Sequence, residues 1–419
     1  MPGKVGFFLS IKASRLNKTV IVPFVCAAMF FGTRAWAAEN RAGAELRNVL
    51  GVHGSAAVQR LGDGRILFSE NIDELLIPAS VFKIITSLAA LSILGDDFRF
   101  VTEFYRRPNG DLLVKGYGDP CLVSEDIDKA AASLAVFLHG VGNIVVDNSF
   151  FADPVAIPGR ARGSIQPYDA PNGALCANYN TVNVVRVNGH YETAEPQTPL
   201  LPFALRRIEK LGPSQGRVMF INDSLDGALY AGHLFKWFLG KHGCSVNGDV
   251  VAGTLDQGVD RLVFSYVSDN RVTDVIRKML RYSNNFTANQ LLLVCGAKVY
   301  GPPADLAKGV KAVKGYVQDT LAIRGMHIKE GSGLSRGNRV SARMMIKALD
   351  IFYPYRRLMR FSQNEYYKTG TLKGVSTRAG YFMGEDGRGY AYVVMINSPG
   401  KRADSLRPML REIVRQDAR

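Results

Sequence analysis

The chain has 419 residues, with 52 lysines and arginines against 37 aspartates and glutamates, for a formal charge of +15. Hydrophobic residues make up 47% and charged residues 21%, which excludes a disordered polyelectrolyte and allows two or three domains around a well-buried core. The cationic surplus is scattered along the chain, which argues against nucleic-acid binding and for attraction to anionic envelope polymers or lipid headgroups.

Lys4, Lys12, Arg15 and Lys18 precede the apolar run Val20 to Gly32, and Ala35-Trp36-Ala37 follows as a small-x-small cleavage site. Residues 1–37 therefore read as an export signal, and Val25 before Cys26 does not fit a lipoprotein site. The apolar run is short and broken by Pro23. No later segment approaches the roughly 18 apolar residues that a spanning helix needs, so no transmembrane anchor is expected. Cys121, Cys176, Cys244 and Cys295 then lie in a compartment that permits disulfides, with three full pairings open. Neither CxxC nor HExxH occurs, so no metal or other cofactor is indicated.

In chain order, the alternating runs Ser55 to Leu61 and Arg65 to Ser69 flank Gly62-Asp63-Gly64 and predict a hairpin. Ser80 to Leu94, closed by Gly95, predicts a helix that is apolar apart from Lys83 and small hydroxyls, and so buried on most sides. Residues 97–262 change texture to short strand-like runs such as 111–115, 143–147 and 181–186, punctuated by Gly and Pro. This stretch reads as an inserted β-rich region of one or two modules, with one helix near Leu225 to Lys241. It divides the rest into 38–96 and 263–419, two pieces of one domain. Helices over Val272 to Tyr282 and Phe286 to Val294 flank Ser283, and strands over Val375 to Met383 and Gly389 to Ile396 follow Lys368. From Ser405, apolar residues Leu406, Met409, Leu410, Ile413 and Val414 recur at helical spacing and predict a helix packed on the sheet.

Three short motifs carry the chemistry. Ser80-Val81-Phe82-Lys83 opens the apolar helix behind Pro78-Ala79. A plain N-cap would explain Ser80. It does not explain Lys83, one turn on and on the same face, because a buried ammonium must be neutralised or heavily hydrogen-bonded. Holding a lysine neutral at pH 7 against its ordinary value near 10.4 costs roughly 4 to 5 kcal/mol. Burial and a neighbouring cation, for which Lys368 is the candidate, would both lower its pKa and make it a general base for the Ser80 hydroxyl. Ser-x-Asn recurs at Ser245, Ser268, Ser283 and Ser362. The first reads as a turn, the second as a helix cap, and the fourth lies too close to Lys368 to form a separate wall. Ser283-Asn284-Asn285 falls between two helices, where a tight connection can aim both side chains into a cleft. Lys368-Thr369-Gly370-Thr371 opens a strand on the other side. Gly370 would let a substrate backbone approach, and the amides of Thr371 and Ser80 would face a developing oxyanion. The rival Gly333-Leu334-Ser335-Arg336-Gly337 matches a nucleophile elbow, but that arrangement needs a histidine after the serine and the last histidine is His327.

With these residues in view, the chain resembles the serine D-alanyl-D-alanine carboxypeptidase/endopeptidase family typified by penicillin-binding protein 4. The shared set includes Ile77-Pro-Ala-Ser-Val-Phe-Lys83, Gly118-Asp119-Pro120, Asn178-Tyr179-Asn180, Ser283-Asn-Asn285, Gly331-Ser-Gly-Leu-Ser-Arg336 and Lys368-Thr-Gly-Thr-Leu372. The resemblance implies an α/β (α+β) fold with a penicillin-recognising, β-lactamase-like core, an antiparallel sheet flanked by helices, interrupted by the insertion. It also implies Ser80 as nucleophile, Lys83 as its base, Ser283 as proton relay and Asn285 orienting the substrate amide and Lys83. Lys368 would supply positive potential, with Thr369 and Thr371 on the terminal carboxylate. The implied substrates are peptidoglycan stem peptides ending in D-Ala-D-Ala, or cross-bridges, with β-lactams as trapping ligands, in the periplasm or envelope of a bacterium. Two departures stand out: Glu330 replaces the usual Asp before Gly331, and the interval from Ser335 to Lys368 is short. A serine β-lactamase and a non-catalytic envelope scaffold are the alternatives. The first is disfavoured because no ExxLN pattern occurs, the only Leu-Asn pair being Leu16-Asn17 in the signal.

Overall fold

A computed structural model describes residues 42–161, 163–384 and 387–418. The expected export signal lies outside them. Gly62-Asp63-Gly64 does join a hairpin, Gly54–Arg60 antiparallel to Ile66–Glu70, with a bulge at Val58 and Gln59. The hairpin completes a six-stranded antiparallel sheet in the order 360–362, 365–372, 375–383, 389–396, 54–60, 66–70. Strands 375–383, 389–396 and 54–60 are buried on both faces, so their residues alternate between two cores with the period of a strand. Ala57, Ala379, Ala391 and Val393 face the larger core, whereas Ala56, Val58, Tyr392 and Val394 face the smaller one.

The smaller core is closed by the expected terminal helix, Arg407–Asp417, through Leu410, Ile413 and Val414, and by the helix over 42–50 through Leu46 and Leu50. The larger core surrounds the helix Lys83–Leu94, in which every residue from Lys83 to Leu91 is buried. Helices Val272–Tyr282, Asn285–Tyr300 and Ala342–Phe352 pack around it. Gly95 ends that helix at φ +93.

Within residues 97–262, the strands expected at 111–115, 143–147 and 181–186 are found at 112–116, 144–147 and 181–187, and the helix expected near 225–241 is Ser224–Lys241. Two further helices, Ser124–Ala135 and Pro202–Leu211, were not anticipated. The five-stranded sheet here, ordered 250–252, 144–147, 112–116, 99–106, 261–271, has a core of its own around Phe104, Val114, Leu234 and Phe235. Its last strand, Arg261–Arg271, runs antiparallel to Arg99–Arg106 and leads straight into the helix Val272–Tyr282. Ser268 therefore lies in a strand, not at a helix cap. The two remaining copies of Ser-x-Asn differ again: Ser245 pairs with Gly140 in a short parallel ladder, and Gln363-Asn364 form a tight turn at φ +51 and +56. Cys121, Cys176, Cys244 and Cys295 are all buried free thiols.

Candidate active site

Ser80 stands in a single 3-10 turn, Ala79–Phe82, that runs directly into the helix Lys83–Leu94. The turn is held from outside. Ala79 adopts φ +46, the Thr377 hydroxyl donates to the Pro78 carbonyl at 2.7 Å, and both amide groups of Asn397 and Ile77 exchange hydrogen bonds at 2.8 and 3.1 Å. Gly333, at φ +84, lies so close that a Cβ there would fall 1.9 Å from the Ala79 carbonyl oxygen. Left-handed backbone at a non-glycine residue costs on the order of 1 kcal/mol or more and persists only where the surroundings impose it. Those contacts impose it here.

The Lys83 nitrogen lies 3.0 Å from the Ser80 hydroxyl oxygen and donates to Asn285 Oδ1 and to the Ser332 carbonyl, both at 2.8 Å. The side chain is fully buried, and that burial lowers its pKa from 10.5 to about 7, against an opposing pull from Glu330. A neutral amine has two N–H groups and one lone pair. The two carbonyl-type acceptors occupy both N–H groups, so the lone pair is directed at Ser80. The depression comes from loss of solvent, and the neighbouring cation expected from the sequence is not among its causes.

Ser283 caps the helix Val272–Tyr282 in left-handed conformation at φ 57, and Asn284 caps the next helix by accepting from the Thr287 N–H. This tight connection places Asn285 beside Lys83 and lets the Lys368 ammonium donate to Ser283 Oγ at 2.9 Å. Asn285 Nδ2 also reaches the Tyr168 carbonyl at 3.4 Å. Lys368 is buried too. Its pKa falls well below the ordinary value, through burial first and then the like charges of Lys83 and Arg360. Each ammonium disfavours the other, so loss of the Lys83 proton removes one of the charges that oppose a cationic Lys368.

The motif around Lys368 lies in the middle of the strand Glu365–Leu372, not at its start. Gly370 is required there by the protein's own backbone: a Cβ would fall 2.4 Å from Thr377 Oγ1 and 2.6 Å from the Ser80 nitrogen. Strand alternation sends Thr369 and Thr371 to the opposite face from Lys368 and Gly370. They line an adjoining cavity of about 420 Å³ with Ser376, Lys401 and Arg402.

In the sequence, Glu330 stands out only as a departure from the usual Asp. In the structure its fully buried carboxylate accepts from the amides of Ser332, Gly333 and Ser335 at 2.6, 2.7 and 3.2 Å, from the Ser332 hydroxyl at 2.6 Å and from Asn338 at 2.8 Å. It is the hub of the turn that presents the Ser332 carbonyl to Lys83. Ser335, the rejected elbow serine, is part of the same turn. Thr86 donates to the Gly331 carbonyl at 2.6 Å and Asn289 accepts from the Gly331 N–H at 2.7 Å, which fastens the turn to two helices.

The D-Ala-D-Ala carboxypeptidase 3 (S13) family matches residues 44–209 and 210–364, and the chain belongs to that family. It is thus a serine peptidase of the D-Ala-D-Ala carboxypeptidase class. A D-alanyl-D-alanine carboxypeptidase from Actinomadura sp. (strain R39) is 27% identical over 404 residues, spanning 77% of this chain and 74% of the relative. The fold is that of penicillin-binding protein 4 from Haemophilus influenzae, with a TM-score of 0.72 at 20% identity over 90% of this chain and 99% of that one. The same Haemophilus protein complexed with a β-lactam aligns at TM-score 0.66 and 21% identity, over 89% and 97% of the two chains. Among the described residues, no helix is long and apolar enough to cross a membrane.

Proposed function

We propose that the protein removes the terminal D-Ala from peptidoglycan stem peptides through an acyl-enzyme on Ser80, and that β-lactams trap the same serine. Lys83 takes the Ser80 proton as the Oγ attacks the penultimate carbonyl carbon. The Oγ–C bond forms, and the C–N bond to the leaving D-Ala breaks. Ser283 passes the proton to the leaving nitrogen, with Lys368 beside it as the cation. Asn285 orients both the substrate amide and Lys83, while Thr369 and Thr371 take the terminal carboxylate from the adjoining cavity, which Gly370 also lines. Water then repeats the sequence on the ester and frees Ser80.

The observation that carries this reading is the Lys83 amine. Fully buried, with both N–H groups assigned and its pKa near neutrality, it is built to accept a proton from Ser80. The β-lactam held by the Haemophilus relative is what such a serine would attack. The reading extends to an exported enzyme whose catalytic domain is split by the region 97–262, a division supported by the separate core of that region.

Two measurements test it together. The protein should release free D-Ala from an acylated D-Ala-D-Ala tripeptide and bind labelled penicillin covalently, and the Ser80→Ala chain should do neither. Covalent labelling of the Ser80→Ala chain would sink the assignment, and rapid nitrocefin turnover would favour a β-lactamase instead.

A further inference from the structure

Asn285 sits in the first turn of the helix Asn285–Tyr300, and that turn is gripped by residues 168–180, to which the roles above give no part. Asn172 is the centre of the grip. Its buried side chain donates to the Phe286 carbonyl at 2.9 Å and to Gln290 Oε1 at 3.0 Å. Gln290, buried as well, donates from Nε2 to the Gly173 carbonyl at 3.0 Å. A side-chain amide has two N–H groups, so the whole donor capacity of Asn172 is directed at this helix. Asn285 itself reaches the Tyr168 carbonyl.

The segment that makes these contacts is held in an unusual backbone. Asn178, Tyr179 and Asn180 are all left-handed, at φ +52, +58 and +56. Asparagine tolerates that conformation, whereas tyrosine keeps it only where its surroundings impose it. Asn178 accepts from the Ser124 N–H at 3.0 Å and donates to the Ser124 hydroxyl at 2.9 Å, and Asn180 donates to the Pro171 carbonyl at 2.8 Å, next to Asn172. The bend sets the Tyr179 ring edge-on to that of Phe286, with centroids 6.1 Å apart. Phe286 follows Asn285 directly, so its carbonyl and its ring are both fixed by residues 168–180.

We propose that Asn172, through Phe286 and Gln290, is a positioning residue for Asn285, and that residues 168–180 thereby set the alignment of Lys83 with Ser80. The effect on rate rests on the proposed acyl transfer at Ser80. The relay is short: Asn285 Oδ1 accepts from the Lys83 amine, which needs that acceptor and the Ser332 carbonyl to keep its lone pair on Ser80. A displacement of about 1 Å at such a site costs up to about 10²-fold in rate. Withdrawing the acceptor also disfavours the ammonium form of Lys83, while the charged groups nearby, Glu330 and Lys368, are unchanged.

The test follows acylation by labelled penicillin against pH. Asn172→Ala and, separately, Gln290→Leu should each lower the plateau rate about tenfold and move the midpoint of the profile down by about half a pH unit. On an Asn285→Ala background, Asn172→Ala should cost less than about twofold, because a positioning residue loses its effect once the group it positions is gone. Val114→Ala, in the core of the five-stranded sheet, should lower stability and leave the midpoint where it was. Independently of the chemistry, the amides of residues 288–293 should exchange with deuterium about tenfold faster in the Asn172→Ala chain. A full tenfold loss on the Asn285→Ala background, an unmoved midpoint or unchanged exchange overturns the proposal. If exchange quickens but penicillin does not acylate even the unaltered chain, the grip on the helix stands and the acyl-transfer reading falls.

Discussion

The Ser332 carbonyl accepts a 2.8 Å hydrogen bond from the Lys83 amine, across about 250 positions of chain. That contact sets how the amine is oriented, and Glu330 sets where the carbonyl sits. Lys83, Asn285 and Ser332 come from three separate segments, so the direction of one lone pair depends on the whole catalytic core being assembled.

The pH dependence of acylation follows from Lys83. The neutral amine is the base, and burial brings its pKa to about 7. Second-order acylation by a β-lactam should rise about tenfold per pH unit below that value and level off above it. Stability carries the matching sign. The folded pKa is depressed, so between about 7 and 10.5 the unfolded chain binds a proton here that the folded chain does not. This contribution to stability is full above about 10.5 and is lost as the pH falls through about 7. Denaturant titrations of the Lys83→Met chain should lack that rise.

Glu330→Gln should weaken the site and the fold together. The amide keeps one acceptor oxygen but turns an NH2 group toward the donors of Ser332, Gly333 and Ser335. Losing charge-assisted bonds of this kind costs about 3 kcal/mol. The acylation rate should drop about 10-fold or more, while Glu330→Asp, which keeps the charge, should retain more of it.

Gly370→Ala should act on chemistry more than on folding. Its methyl group would displace the Ser80 amide, 2.6 Å away, or the Thr377 hydroxyl that holds Pro78. Misplacing one oxyanion donor costs about 10² to 10³ in rate. Acylation kinetics beside a thermal melt would separate the two effects, and a normal rate would show that the Ser80 amide does not stabilise the oxyanion.

Behind the catalytic strand, Glu365 is fully buried and accepts from Arg378 at 2.7 Å, from Arg407 at 2.5 Å and from Tyr392. Arg378 also reaches Asp404 at 2.7 Å and stacks on Tyr367 at 3.9 Å. Removing one partner of a buried network strands the others. Glu365→Ala should cost about 3 to 5 kcal/mol by denaturant titration.

Much of the fold was legible because its signals are local. Gly62-Asp63-Gly64 joins a hairpin, and the two strands after Lys368 lie where their alternation put them. The helices over 124–135 and 202–211 were passed over in a region dominated by turn signals, although Pro202 in the first turn and Gly212 at φ +62 behind Leu211 mark the ends of the second. Ser268 was misplaced because its strand is fixed by pairing with residues near 101, a contact far along the chain that overrides local cap chemistry. At the site, the serines and lysines announced themselves as side chains. The Ser332 carbonyl could not, since every residue has one, and Glu330 was visible only as an unexpected acid.

The four thiols offer a way to watch this protein come apart. Cys121 and Cys295 sit in the core around the Ser80 helix, Cys244 in that of the five-stranded sheet, and Cys176 in a small cluster with Phe286. Burial pushes Cys121, Cys176 and Cys295 up to about 12 and raises Cys244 as well, so none reacts while the native packing holds. Each becomes a clock that starts only when its own surroundings open. Timed alkylation, read thiol by thiol, would show whether the five-stranded sheet and the core around the Ser80 helix open as one cooperative unit or in succession.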